Sequence, residues 1–373
     1  MRIAVLAETD TSEPRVAATP ETVKKFIGLG AEVAVQAGAG AASGFADDAY
    51  AAAGASIAAK AKDAVTGADV VLRVRRPSPA EVAGANPGAA VVAIQDPFGA
   101  EKAIDELAKA NVTAFAMELM PRITRAQVMD VLSSQANING YRAVVDAASE
   151  YGRVLPMMMT PAGTVPAGRI FIMGVGVAGL QAIATARRLG AIVTATDVRP
   201  ATKEQVESLG AKFIAVENEE FKQAETSGGY AKEMSKEYQA AQAELLSDHI
   251  AKQDIVITTA LIPGRPAPKL VSAAQVRSMR AGSVIYDLAA ERGGNCELSR
   301  PGETIVDSGV KIMAPLNIAG RTAATTSSLY AKNLLAFVET LISKETKQLA
   351  INWDDELVKA TALTRNGAAI ARG

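Results

Sequence analysis

Three glycines and one carboxylate are spaced to hold a dinucleotide: Gly174, Gly176 and Gly179 in G-x-G-x-x-G order, with Asp197 eighteen residues beyond the last. In such a turn the first glycine makes the tight bend, the second lets the backbone approach a pyrophosphate, and the third lets a helix lie close to the preceding strand. First-turn amides and the helix dipole then attract the phosphate charge. Asp197 stands where a carboxylate can accept hydrogen bonds from the adenosine ribose hydroxyls. Glycine spacing alone is a weak signal, and the setting makes it specific. Ile170–Met173 reads as a buried strand, Leu180–Leu189 has a helical pattern that stops at Gly190, and Ile192–Thr196 is a second strand ending on Asp197. The competing reading is a glycine-rich strand-to-helix turn with no ligand. Asp197 would repel a 2′-phosphate, whereas Arg199 two residues on could accept one; an acid at the strand end itself favours NAD over NADP.

A dehydrogenase acting on a metabolite needs a His, Lys or Tyr to handle a proton. Here the one histidine, His249, falls in S-D-H-I-A-K and reads as an exposed helix-end residue. One His and one Cys cannot make a metal set, and a serine or cysteine triad lacks its base. Cys296 has no partner for an internal disulfide and reads as an ordinary residue of a reducing compartment. The residues therefore offer a nicotinamide site without an obvious proton handler.

The elements that must position this site fall into two groups. At 373 residues the chain is long enough for two cores, and 49% apolar with 21% charged residues is ordinary for a folded protein. A net charge of −1 with interspersed signs speaks against a nucleic-acid or membrane-surface footprint. The uncharged run Ile170–Ala186 carries three glycines and falls short of the ~20 residues of a membrane span. Met1 leads straight into strand-like R-I-A-V-L-A, which predicts no signal peptide and a cytosolic protein.

Arg2–Glu8, Ala31–Gly38, Ala68–Val74, Ala89–Gln95 and Val112–Glu118 read as strands, separated by helical segments such as Pro20–Leu29 and Ala100–Ala110. Strand alternating with helix predicts a parallel, doubly wound sheet. From about Thr124 a helical pattern runs to Gly140 and resumes through Glu150. Val154–Gly168, with three prolines around three methionines, predicts an extended arm or hairpin suited to packing against a second subunit. Lys212–Val216, Asp254–Ala260, Ser283–Ala289 and Val310–Pro315 complete six strands in the dinucleotide domain. Glu217–His249 is a long polar insertion: helical over Ala231–Lys252 and, around Gly228-Gly229-Tyr230, either a flap that excludes water or a solvated excursion. A further long helix follows Leu316, the segment with Trp353 pads the N-terminal domain, and Thr364–Gly373 reads as a loose tail.

E-P-R-V-A-A-T-P-E near the N-terminus, P-R-I-T-R-A-Q-V-M-D-V-L-S-S-Q-A-N-I-N-G-Y-R-A, the glycine-turn segment and D-L-A-A-E-R-G-G-N together resemble the alanine dehydrogenase/transhydrogenase superfamily over nearly the whole chain. Within it the chain looks like the NAD(H)-binding subunits of proton-translocating transhydrogenases. That resemblance implies two doubly wound Rossmann-like parallel-sheet domains joined by long helices, with a cleft between them. One would comprise 1–135 plus 317–373, the other 136–316 with a flap at about 220–235. It also implies a homodimer whose NAD(H) meets NADP(H) on a partner subunit's domain, with membrane-spanning partners holding the chain peripherally at the inner membrane from the cytoplasm.

By resemblance, Arg122, Gln127, Asp130 and Ser133 hold the nicotinamide end, and Gln127 bridges toward the partner's nucleotide. Val177, Val198 and Arg199 flank the pyrophosphate and ribose, Gly229 and Tyr230 close over the nucleotide, and Leu261 lies at the carboxyl edge. The competing reading of Gln127 is a capping box with Thr124. An alanine dehydrogenase-like oxidoreductase is the alternative within the family. Those enzymes use a Lys and a His that are missing here: V-L-R-V-R-R has Arg73 and Arg75, and V-V-A-I-Q-D-P-F has no histidine. A-A-E-R-G-G, with Glu291, departs from their A-I-D-Q-G-G pattern. Arg15, tempting as a substrate ligand, reads as an ion pair with Glu8 or Glu13.

Overall fold

Short apolar runs, closed by glycines or polar turns, form two separate parallel sheets. The computed structural model describes residues 1–223, 234–262 and 264–371, which divide into two units, 1–135 with 319–373 and 136–318.

In the first unit β1 (Arg2–Val5), β2 (Glu32–Gln36), β3 (Ser56–Ala58), β4 (Val70–Arg75), β5 (Ala90–Ile94) and β6 (Thr113–Ala116) lie in the order β3-β2-β1-β4-β5-β6. Every pairing is parallel. Alternate side chains enter different cores: Ile3 and Val5 go to one, Ala4 and Leu6 to the other. A parallel sheet covered on both faces needs such continuous apolar strands. β3 was not anticipated, because S-I-A at a sheet edge carries only one residue with a strand preference.

The C-terminal residues return to this unit. Tyr330, Leu334, Phe337 and Val338 of helix Ala323–Thr340 enter the first core, and Trp353 packs against it with the Arg365 guanidinium 4.1 Å from the ring centroid. The tail is not loose as expected. Thr364 is buried, its Oγ1 accepting from the Ala114 amide at 2.8 Å and donating to the Val112 carbonyl at 2.7 Å, while Thr364–Arg365 pairs with Ala368–Ala369.

The expected helix from Thr124 is broken one turn in. Thr124–Met129 is 3-10, and the α-helix is Val131–Glu150, which passes through Gly140 without interruption. Gly140 marks a close approach: a Cβ there would lie 2.0 Å from the Ala178 carbonyl oxygen.

In the second unit β7 (Met158–Thr160) and β8 (Gly163–Val165) form an exposed antiparallel hairpin within the stretch predicted as an arm. The main sheet runs β11 (Lys212–Phe213), β10 (Ile192–Thr196), β9 (Arg169–Met173), β12 (Ile255–Thr258), β13 (Val284–Asp287), β15 (Val310–Met313), β14 (Thr304–Asp307). All pairings are parallel except β14 with β15. Seven strands replace the expected six. T-I-V-D of β14 is a half-exposed edge and lacks a buried run to announce it. Helix Lys236–Ile250 fills the second half of the polar insertion. Gly229 and Tyr230, assigned above to a flap, lie outside the described residues. No described helix is long and apolar enough to cross a membrane.

Candidate dinucleotide site

β9 lies between β10 and β12, so the chain leaves the sheet at the point where strand order reverses, the place where open α/β sheets bind ligands. Gly174 follows at φ +103°, a conformation natural only to glycine, and a Cβ there would lie 2.5 Å from Thr259 Oγ1. That hydroxyl donates to the Gly174 carbonyl at 2.9 Å. A Cβ on Gly179 would sit 2.0 Å from the Gly174 oxygen. Two of the three glycines are therefore demanded by the protein's own packing. Gly176 is not: it has φ −84°, and a Cβ there would meet no atom within 4 Å. The space in front of it is open. Gly176 is also the N-cap of helix Val177–Arg188, and no side chain caps that end. Its first-turn amides suit an anion, and the residues present fit a dinucleotide pyrophosphate.

Asp197, at the end of β10, accepts from the Val175 amide at 2.7 Å and from the Arg199 amide and Nε, both at 2.9 Å. Arg199 Nη2 adds a fourth bond at 3.0 Å and also donates to the Val175 carbonyl at 3.1 Å. Burial would raise the Asp197 carboxyl, but the Arg199 bonds and the two amides outweigh it and leave the pKa lowered. The carboxylate thus stays charged and fixes the glycine turn through Val175. All four of its acceptor positions are engaged. A ribose hydroxyl can reach it only as the Arg199 side chain gives up a bond.

The loop after β12 is held by a residue the sequence did not single out. Asn295, fully buried, exchanges bonds with the Ala260 amide (3.0 Å) and carbonyl (2.8 Å) and donates to the Pro268 carbonyl at 2.8 Å. Leu261 follows at once and is exposed, as are Val177 and Val198. Exposed apolar side chains on the loops that follow β9, β10 and β12 suit the flat, apolar parts of a nucleotide.

His249 is not the exposed residue expected. Helix Lys236–Ile250 lays it edge-on against Phe171 (ring centroids 4.7 Å apart), with Nε2 2.8 Å from Thr194 Oγ1. Burial, then the charges of Lys252, Lys212 and Arg169, lower its pKa to about 4, so the ring is neutral near pH 7. Among the described residues no group of His, Cys, Asp and Glu could hold a metal.

The residues assigned to the nicotinamide end lie in the first unit. Arg122 and Gln127 are exposed, Asp130 and Ser133 half-buried. The capping box of Thr124 with Gln127 does not form, since Ile123 is the N-cap of that 3-10 turn and no side chain caps it. The cap lies further on: Asp130 accepts from the Ser133 amide at 2.9 Å and from Ser133 Oγ at 2.6 Å, closing the start of helix Val131–Glu150. Asp130 and Ser133 are brought together; Gln127 is left exposed beside exposed Val128.

At the carboxyl edge of the first sheet the protein's own charges close on one another. Arg73, 2% exposed, donates to Glu8 through Nε (3.0 Å) and Nη2 (3.1 Å) and to Glu81 through Nη1 (2.6 Å). Arg15, 3% exposed, grips both oxygens of Glu13 (2.7 and 2.6 Å), and Arg75 Nε reaches the same carboxylate at 2.8 Å. Arg15 is thus the expected ion pair, with Glu13 rather than Glu8. Its remaining Nη1 donates to Gln135 Oε1 at 2.8 Å.

Residues 4–139 match the family described as "Alanine dehydrogenase/PNT, N-terminal domain", and residues 143–372 match "Alanine dehydrogenase/PNT, C-terminal domain". The chain is 54% identical to an NAD(P) transhydrogenase subunit alpha chain of Rhodospirillum rubrum over 99% of this chain and 98% of that one. A solved transhydrogenase structure from Sinorhizobium meliloti superposes with a TM-score of 0.90 at 58% identity, covering 99% and 100% of the two chains. An L-alanine dehydrogenase structure is more distant, with a TM-score of 0.80 at 25% identity and coverage of 99% and 97%. By sequence and by fold, this chain belongs to the alanine dehydrogenase/PNT family.

Proposed function

We propose that the chain is the NAD(H)-binding α-type subunit of a proton-translocating transhydrogenase, passing hydride from NADH to NADP⁺ held on a partner subunit's domain. The observation that carries this reading is the pairing of an open dinucleotide turn at Gly176 with a first unit whose substrate-facing edge holds only arginines locked to glutamates. Reduction of a keto acid needs a proton donor at oxygen or nitrogen. Transfer between two nicotinamides needs none, because one ring loses H⁻ and the other gains it. Bound NADH supplies that hydride. The protein's part is to hold the ring ends in near-attack geometry and keep water away.

In this reading Gly174, Gly176 and Gly179 hold the pyrophosphate with the amides of the following helix. Asp197 takes the adenosine ribose as Arg199 yields, and Val177, Val198 and Leu261 flank the nucleotide. Arg122, Gln127, Asp130 and Ser133 hold the nicotinamide end, while Gly229 and Tyr230 close over it. The β7–β8 hairpin, with Met157, Met158 and Met159 exposed, packs on a second copy in a homodimer. Proton movement belongs to membrane-spanning partners, which place the chain at the cytoplasmic face of the inner membrane; the transfer is Si/Re-specific.

The test uses the thionicotinamide analogue of NADP⁺, whose reduced form absorbs at longer wavelength than NADH. With the NADP-binding partner present, NADH should reduce the analogue. The chain alone should not oxidise NADH with pyruvate and ammonium. Turnover of pyruvate and ammonium at ordinary enzymatic rates would establish the alanine dehydrogenase-like alternative instead.

A further inference from the structure

We infer that Asn333 is a positioning residue for hydride transfer, setting where the Gln127 turn stands; the inference rests on the reading of that turn given under Proposed function. Thr124–Met129 is a single 3-10 stretch, whose last carbonyls have no partner of their own within it. One of them, the Val128 oxygen, accepts from Asn333 Nδ2 at 2.7 Å. Asn333 comes from helix Ala323–Thr340, 205 positions away in the chain, and is 8% exposed. The other end of the same amide, Oδ1, accepts from Ser134 Oγ at 2.7 Å. One side chain therefore ties the residue after Gln127 to the first turn of helix Val131–Glu150 and spans the bend at Asp130.

The support continues inward. Gln135 Nε2 donates to Ser134 Oγ at 3.2 Å and to the Thr326 carbonyl at 3.1 Å, and Gln135 Oε1 accepts from Arg15, which is clamped by Glu13. This is a fully paired buried network, the kind that fixes one arrangement. An amide is required at its outer end. Aspartate lacks the donor for the Val128 carbonyl, and leucine lacks both groups.

The Gln127 side chain makes no hydrogen bond among the described residues and is exposed, so its backbone alone determines where that side chain stands. Ala126 and Met129 anchor the turn in the core, which lets the chain fold without the Asn333 bond. What the bond adds is precision. A displacement of about 1 Å at such a place can cost ~100-fold in rate without touching ground-state binding.

Asn333→Asp keeps the acceptor for Ser134 and removes the donor to Val128; Asn333→Gln keeps both groups one methylene further out. Each is assayed with the NADP-binding partner for reduction of thionicotinamide NADP⁺ at saturating NADH, alongside the NADH Kd and the melting temperature. Transfer should fall ~10- to 100-fold in Asn333→Asp and less in Asn333→Gln, with NADH affinity changed by less than about threefold in both. Ser134→Ala, which leaves the Val128 bond in place, should slow transfer by less than about threefold. Unchanged transfer per folded chain in both Asn333 variants would overturn the inference, as would equal losses of rate and NADH affinity. Gln127→Asn separates the two levels. If it slows transfer while the Asn333 variants do not, this inference alone falls; if it leaves transfer unchanged, the reading of the turn falls with it.

Discussion

The two units run the same strand order outward from their first strand, yet the turns leaving that strand are built to opposite ends. After β9 the chain makes a glycine turn, leaves the space before Gly176 empty and starts a helix with no side-chain cap. After β1 it places Glu8, whose carboxylate accepts from the Val74 amide and from Arg73. The next helix, Pro20–Gly28, is sealed by a capping box from Thr19 and begins with a proline, which has no N–H to offer. One unit exposes its helix amides to an anion, and the other satisfies its polar groups internally. A shared topology therefore says little about where a ligand binds; the chemistry of one turn decides it.

The sharpest way to break that comparison is to open the closed edge. Arg15→Ala leaves the Glu13 carboxylate buried beside only the half-exposed Arg75, and loss of one partner from a buried pair typically costs about 3–5 kcal/mol. Chemical denaturation should show a loss of that order, with NADH affinity of the folded chain unaltered. A variant as stable as the parent would show that the edge is not a closed structural network. Glu13 itself is held below its usual range because the Arg15 bonds and charge outweigh the desolvation that would raise it.

A smaller effect comes from His249. Its folded pKa of about 4 lies below the ordinary histidine value, so it binds a proton more weakly folded than unfolded. Its contribution is present above about pH 6.5 and lost as pH falls from there toward the folded value. His249→Gln should flatten the pH dependence of stability across that window by about one proton, read from denaturation midpoints. An unchanged slope would mean that the ring is already charged in the folded chain.

What the sequence could show followed from chain distance. The glycine turn and Asp197 were legible because each demand is local: a bend at φ +103°, a helix pressed onto a strand, an acid at a strand end. The Arg15–Glu13 pair was legible for the same reason, being two residues apart. Asn295 and Asn333 were not, because they support loops 35 and 205 positions away through bonds to backbone carbonyls and amides, which leave no trace in residue pattern. The predicted cap at Thr124 lost to a stronger competitor, the Asp130 carboxylate, which closes the longer helix. His249 was misread because burial of one face of helix Lys236–Ile250 depends on the sheet it meets, and β3 and β14 escaped notice because edge strands need no buried run.

The central claim, one open switch point and one closed one, is tested most directly by equilibrium titration of the purified chain with NADH and with NADPH, repeated on Gly176→Val. The account predicts one NADH per chain, weaker NADPH, and a loss of ~10- to 100-fold in NADH affinity with an unchanged melting temperature in the variant, whose side chain fills only empty space. Two nucleotides per chain, tighter NADPH than NADH, or undiminished NADH binding by Gly176→Val would contradict it.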